Sequence, residues 1–150
     1  MYNSVIWSPH YVSHIRKLES VQHKFLRYLA FKLGTPFSFD DHNYGEIATR
    51  FELCSIKSLH NYYDNIFVRK SMSRDSTYKV LSSFFSTRSD IYNIRDHRQL
   101  REDYTSKEYI YNSSLYRLRR NWNILDSSVK DCIKFGEFES SLGRCLFRFE

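Results

Sequence analysis

At 150 residues and 18.2 kDa the chain has room for one modest domain, which excludes a complete polymerase or any other large enzyme. Leu, Ile, Val and Phe make up 41 of the residues against 4 Gly and 2 Pro. That is enough for a core, and too little turn chemistry for a β-sandwich or a low-complexity chain. The formal net charge of +6 and pI near 9.2 are the footprint of a phosphate-backbone binder, and equally of a solvated basic surface.

The charge is blocked rather than mixed. Residues 1–33 carry +4, residues 34–68 carry −3, residues 69–120 carry +6 and residues 121–150 carry −1. The three cysteines, Cys54, Cys132 and Cys145, are odd in number and widely spaced, so they suggest neither a disulfide framework nor a zinc site. The opening MYNSVIWSPHYV has no basic stretch and no apolar run, so no signal peptide is expected. No stretch of about 18 apolar residues occurs, so no membrane span is expected. The expectation is a soluble intracellular chain, cytoplasmic or nuclear.

In chain order, Ser8-Pro9 supplies an N-cap and a first-turn proline. Apolar residues then recur at Tyr11, Ile15, Leu18, Val21, Phe25, Leu26 and Leu29, a helical spacing that holds to about Phe31 and stops at Gly34. Arg16, Ser20, His23 and Arg27 share another face, with Lys17 and Lys24 at its margin. This face is a candidate polyanion contact, though many amphipathic helices look the same. Asn43 with Glu46 caps a short helix through Ile47, Ala48 and Phe51. Ser55 caps the next, whose apolar face runs Ile56, Leu59, Tyr63, Ile66 and Phe67 to about Met72.

Ser71 to Ser89 is rich in serine and reads as a loop or linker, with a short strand around 78–85 as its one regular element. Residues 90–121 are dense in Tyr and Arg, a combination found in single-strand binders and also at irregular core edges. Asn112 to Trp122 reads as a helix, with Leu115, Leu118 and Trp122 on one side. Ser128 with Asp131 opens a helix over Val129, Cys132 and Ile133. Gly136 is expected to end it, before a last helix with Phe138, Leu142, Cys145 and Leu146.

Several motifs invite chemistry and do not sustain it. Tyr62-Tyr63-Asp64-Asn65 is close to a Tyr-x-Asp-Asp turn, but two-ion phosphoryl transfer needs adjacent carboxylates between strands, and here the second is Asn65 inside a helical pattern. His10 and His14 have the spacing of a helical zinc pair without a Glu between them or an evident third ligand. Asp40-Asp41-His42 lacks the spacing of a cation loop. No phosphate-cradling glycine loop or Gly-x-Ser-x-Gly elbow is present. Asn112-Ser113-Ser114 matches the glycosylation pattern by chance. No metal, cofactor or catalytic residue is expected.

Four stretches together resemble the region after the palm in reverse transcriptases of non-LTR retrotransposons, particularly the jockey-like kind. The first is Tyr2 to Pro9 (YNSVIWSP) followed by Leu18 to Phe25 (LESVQHKF), similar to that family's Tyr-Cys-Ser-x-x-Trp-x-Pro and Leu-Glu-x-Val-Gln. The second is Phe51 to Ile56 (FELCSI) continuing through Asp64, Ile66 and Lys70. The third is Tyr109 to Asn123, and the last is Phe138, Leu142 and Leu146. Leu59-His60 stand where the family often has Arg-Arg, and Cys54 where it usually has Pro.

The resemblance covers nearly the whole chain in order. It implies the helical thumb and following tail of an RNA-directed DNA polymerase, with the catalytic carboxylates lying in the palm upstream. A thumb grips the template–primer backbone, which agrees with the basic helix face found independently.

The expected fold is therefore mainly α: a thumb-like helical region over 1–72, a polar, partly irregular linker over 73–108 and a helical tail over 109–150. The expected role is sequence-independent binding of RNA or an RNA–DNA duplex, without enzymatic activity of its own. Arg16, Lys17, Lys24 and Arg27 are the first backbone contacts and Arg117, Arg119 and Arg120 a second patch. The competing readings are a protein-interaction module that self-associates through Leu18, Val21, Phe25 and Leu29, and a translated gene relict.

Overall fold

The computed structural model describes residues 4–34, 44–73, 79–88 and 98–147. The fold is mainly α, as expected. Among the described residues lie α1 (Ser4–Trp7), α2 (Val12–Lys32), α3 (Tyr44–Arg50), α4 (Ile56–Met72), α5 (Lys79–Ser82), α6 (Glu108–Tyr111), α7 (Ser114–Ile124), α8 (Ser127–Lys130) and α9 (Phe135–Leu146). Strand pairing among them is limited to an antiparallel bridge between Thr87 and Leu100. None of these helices is long and apolar enough to cross a membrane.

Two compact units are present. One joins Met1–Ser8 to His60–Leu146, and the other holds Pro9–Leu59 with Phe147–Glu150. Their boundary falls inside α4, so the expected region 1–72 is shared between both units.

The core of the larger unit is built from the apolar side of α7, where Leu118 and Trp122 are buried. Ile66 and Val68 of α4, Val129 of α8, and Phe138 and Leu142 of α9 close around them, together with Phe85, Leu100 and Leu125. Phe85 and Leu100 lie in the stretch expected to be a polar linker, so part of that linker is core.

The physical reason is the side chain of Asn123. Its Oδ1 accepts from the Leu100 N–H at 2.8 Å and its amide donates to the Leu100 carbonyl at 3.0 Å, giving an extended residue the two bonds a neighbouring strand would give. Trp122 Nε1 donates to the Arg98 carbonyl at 2.9 Å. These bonds let Leu100 enter the core without leaving its peptide groups unpaired.

The expected strand around 78–85 is instead the helical turn α5, closed by the N–H of Phe84 donating to Leu81 and that of Phe85 to Ser82. Ser82, Ser83 and Phe84 are exposed in succession before Phe85 turns inward, which breaks a strand's alternation. The helix expected to end at Gly136 stops earlier, at Lys130. The Cys132 and Ile133 carbonyls instead accept the Arg69 guanidinium at 2.7 and 3.0 Å, which takes them out of a helical ladder. Gly136 then falls in the first turn of α9.

The smaller unit rests on α2 and α3. Leu26, Ala30 and Ile47 are buried together, with Tyr44, Ala48, Phe51 and Leu53 half-buried against them. Ala30 removes the bulk that would hold the two helices apart. The turn after α3 places Glu52 at φ +51°, with the Leu53 N–H donating to the Ala48 carbonyl at 2.8 Å, a left-handed closure usually made by glycine. Asn43, the expected cap of α3, lies outside the described residues. Ser55 caps α4 as expected, accepting the Ser58 N–H at 3.0 Å.

Candidate nucleic-acid interface

The helix that carries the first basic patch begins later than its sequence signals suggest. Ser8 and Pro9 do not open α2; they end α1, the Ser8 N–H donating to the Ser4 carbonyl at 3.1 Å. The Ser8 hydroxyl is engaged with His60 Nδ1 at 2.7 Å and is not available to cap. α2 starts at Val12 with Tyr11 as an N-cap that makes no side-chain bond. Its end is as expected, with Gly34 at φ +59°.

Around α2 the side chains fall into three sectors, since each residue advances about 100°. Leu26 and Ala30 face α3, with Ile15, Gln22 and His23 half-buried beside them. The buried side is therefore rotated from the expected apolar face. Val21 is 64% exposed and Phe25 50%, while Leu18 and Leu29 are only half-buried. The second sector is basic. Arg16, Lys17 and Lys24 are exposed and, among the described residues, their side chains have no ion pair or hydrogen bond. Arg27 is exposed too, but its Nε donates to the Tyr44 hydroxyl at 2.7 Å, with Nη2 bonding the same oxygen. The Tyr44 ring in turn stacks on His23 at 3.9 Å. Arg27 thus ties α2 to α3 from the margin of the patch.

The second expected patch is different in kind. α7 opens with Ser113 accepting the Tyr116 N–H, and its arginines turn inward. Arg117 lies beside the fully buried Asp64 carboxylate of α4, with Nε to Oδ2 at 2.9 Å and Nη2 to Oδ1 at 3.4 Å. It also donates to the carbonyls of Ser4 and Ser8, at 3.4 and 3.3 Å, and to that of Val5. Only 14% of its side chain is exposed, so it offers no face to a phosphate. Arg119 donates to the Phe84 carbonyl at 3.1 and 2.7 Å and approaches Asp103 at 3.6 Å. Arg120 is half-buried over the Tyr111 ring, 5.0 Å from its centroid. Arg117 and Arg119 of the expected patch are therefore internal scaffolding, because α4, α1 and the turn after α5 bring acceptors up to them, while Arg120 keeps a half-exposed position beside Tyr111.

Around Asp64 a polar network is sealed in the larger unit. Asn121 donates to Asp64 Oδ2 at 2.9 Å and to Asn61 Oδ1 at 3.2 Å. Burial pushes the Asp64 carboxyl up, while Arg117 and Asn121 pull it back. One helical turn earlier, the Trp7 ring stands edge-on to His60 at 5.9 Å. Among the described residues, His60 Nε2, the Ser4 hydroxyl and Asn65 Oδ1 are buried without a hydrogen-bond partner. Burial lowers the His60 pKa; Asp64 opposes that and Arg117 adds to it.

Ser8, His60 and Asp64 are the residue types of a hydrolase triad, but the wiring differs. The serine meets Nδ1, Nε2 has no hydrogen-bond partner among the described residues, and the carboxylate is held by arginine instead of histidine. Asp64 is likewise on a helix and not on a strand turn. His10 and His14 flank the Tyr11 ring, and among the described residues no three His, Cys, Asp or Glu side chains gather as a metal site would need. Asp40, Asp41 and His42 lie outside the described residues.

The Ser8–His60 bond and the Asp64–Arg117 pair were not legible in advance, because 52 and 53 residues separate the partners. The only signal was a polar Asp and Asn inside an otherwise apolar helical stripe. No protein-family model, characterised protein or solved structure matches the chain.

Proposed function

We propose that this chain is the thumb-bearing, C-terminal part of a non-LTR retrotransposon reverse transcriptase, and that it binds RNA or an RNA–DNA duplex by the backbone without reading sequence. The observation that carries the binding is the open basic sector of α2. Arg16, Lys17 and Lys24 stand exposed on one side of a 21-residue helix, with Arg27 at its edge. With no partner to give up among the described residues, these cations cost little to bring against phosphates, and each contact releases a condensed counterion. The ordered resemblance along the chain supports the family. In this reading the chain makes and breaks no bonds; its part is to hold the polyanion in register.

The test is the salt dependence of RNA binding. Replacing Arg16 and Lys24 by Glu removes two contacts and should lower the slope of log K against log salt by about 1.4 on a single strand, at about 0.7 per phosphate. An unchanged slope would sink the assignment.

A second reading, a helical protein-interaction module, is favoured by the exposed Val21 and Phe25 on the neighbouring sector of the same helix.

A further inference from the structure

The two outward sectors of α2 interpenetrate. Val21, Phe25 and Tyr28 form an exposed apolar row spanning about 60° of the helix, and Lys32 stands in that row with its Nζ 5.9 Å from the Tyr28 ring centroid. Phe31, 83% exposed, falls by the same geometry among the cations, between Arg27 and Lys24. Phe25, Tyr28 and Phe31 are three residues apart, so a ring recurs about every 4.5 Å along the axis. Charge and exposed aromatic surface therefore alternate along one face.

We infer that the ligand of this face is single-stranded nucleic acid whose unpaired bases stack on Phe25, Tyr28 and Phe31 while Lys17, Lys24 and Lys32 take the phosphates. This rests on the reading of α2 as a polyanion-binding helix and narrows it. A duplex keeps its bases paired and stacked, so it offers these rings no π face and would leave the apolar row in water. An unpaired strand offers one face per nucleotide, which is why such binders combine basic grooves with rings.

Two other occupants fit less well. α2 carries five Lys/Arg and one Glu, so a second copy laid row against row would set like charges along each other. An anionic bilayer wants a wide apolar face, and the exposed apolar row of α2 spans only about 60° of the helix.

The experiment is a titration of the whole chain by fluorescence anisotropy with labelled oligouridine of about twenty nucleotides, longer than the usual single-strand site. An RNA–DNA hybrid of the same length is titrated in parallel. The single strand should bind tighter than the hybrid. Phe25→Ala with Phe31→Ala should weaken oligouridine binding about tenfold or more, with the salt slope and the hybrid affinity unchanged. Phe31→Trp should keep the affinity, and its indole emission should be quenched as oligouridine is added. Both rings are exposed, and an unchanged far-ultraviolet circular dichroism spectrum shows that the variants keep their helices.

Stacking is overturned if the double alanine variant binds oligouridine as the parent does, or if the parent binds the hybrid as tightly. In both cases salt-dependent binding leaves the backbone-binding reading standing. If the parent binds neither, both readings fall. Binding to phosphatidylserine vesicles, or a salt-independent dimer, that is lost in the alanine variant without oligouridine affinity also overturns the inference.

Discussion

Two groups of cations in this chain look alike as letters and behave as opposites in space. On α7, Arg117 and Arg119 are ringed by oxygens: a buried carboxylate, four backbone carbonyls and a partly exposed Asp103. On α2, Arg16, Lys17 and Lys24 point to solvent with no protein acceptor among the described residues. The difference lies in the neighbours. α7 is central in its unit: α1 with Ser8, and the turn after α5, bring carbonyls to it, α4 brings the Asp64 carboxylate, and a planar five-donor guanidinium is the side chain that can collect them. α2 packs on α3 through Leu26 and Ala30, and among the described residues no acceptor reaches Arg16, Lys17 or Lys24 on its other sides. Basic density therefore marks a binding face only where the fold leaves the cations without internal partners.

The sharpest way to break this contrast is to remove Arg117. With the guanidinium gone, Asp64 becomes a carboxylate in a site closed to water, and unpairing a buried ion pair costs about 3–5 kcal/mol. Arg117→Ala should show that loss in urea denaturation followed by circular dichroism. Arg117→Lys should recover only part of it, since a point charge cannot replace the forked contacts. A loss under about 1 kcal/mol, within the range of a surface ion pair, would mean that Arg117 belongs with the α2 cations after all. Arg119→Ala should have a smaller effect, about 1–2 kcal/mol, because the Phe84 carbonyl it leaves behind is near solvent and water can take over part of the bonding.

The α2 cations should show the reverse pattern. Lys17→Gln with Lys24→Gln should leave stability within about 0.5 kcal/mol of the parent, as surface changes without partners do. The same pair should measurably flatten the salt dependence of oligouridine binding. A large loss of stability would show that these side chains have partners in the folded protein, and the contrast with α7 would disappear.

The helices themselves were legible. The three-and-four spacing of α2, the Ser55 cap of α4 and the Phe138–Leu142 stripe of α9 come from local physics, and local physics is what a sequence displays. The rotation of the buried side of α2 was not. Tyr11, Val21, Phe25, Tyr28 and Phe31 give the helix apolar residues on several sides, and only the arrival of Ile47 against Ala30 decides which side closes. The role of Leu100 was hidden for a similar reason. Its stretch is polar, and the Asn123 amide that completes its backbone bonding lies 23 residues further on. Arg117 and Arg119 were misplaced because charge composition says how much positive charge exists, not which oxygens reach it.

The smallest expected effect comes from His60, and it bears on the same buried network. His60 is held neutral by burial, so its pKa in the folded chain lies below the ordinary 6.5, the value it regains on unfolding. Below 6.5 the unfolded chain therefore binds more protons than the folded one, and stability falls as the pH drops from there toward the folded pKa. Above 6.5 the contribution is constant. Protonation would place a cation against Trp7 and near Arg117, with Asp64 already engaged by that arginine and with no acceptor at Nε2 among the described residues. His60→Asn keeps a polar group toward Ser8 and cannot gain the charge. Subtracting its stability–pH curve from that of the parent removes the other histidines, and the difference should slope only below about 6.5. A flat difference would mean that water reaches Nε2 and that the network around Arg117 is as open as the basic sector of α2. A difference of opposite sign would mean that Asp64 has a charge to spare for His60, and the assignment of that carboxylate to Arg117 would have to be given up.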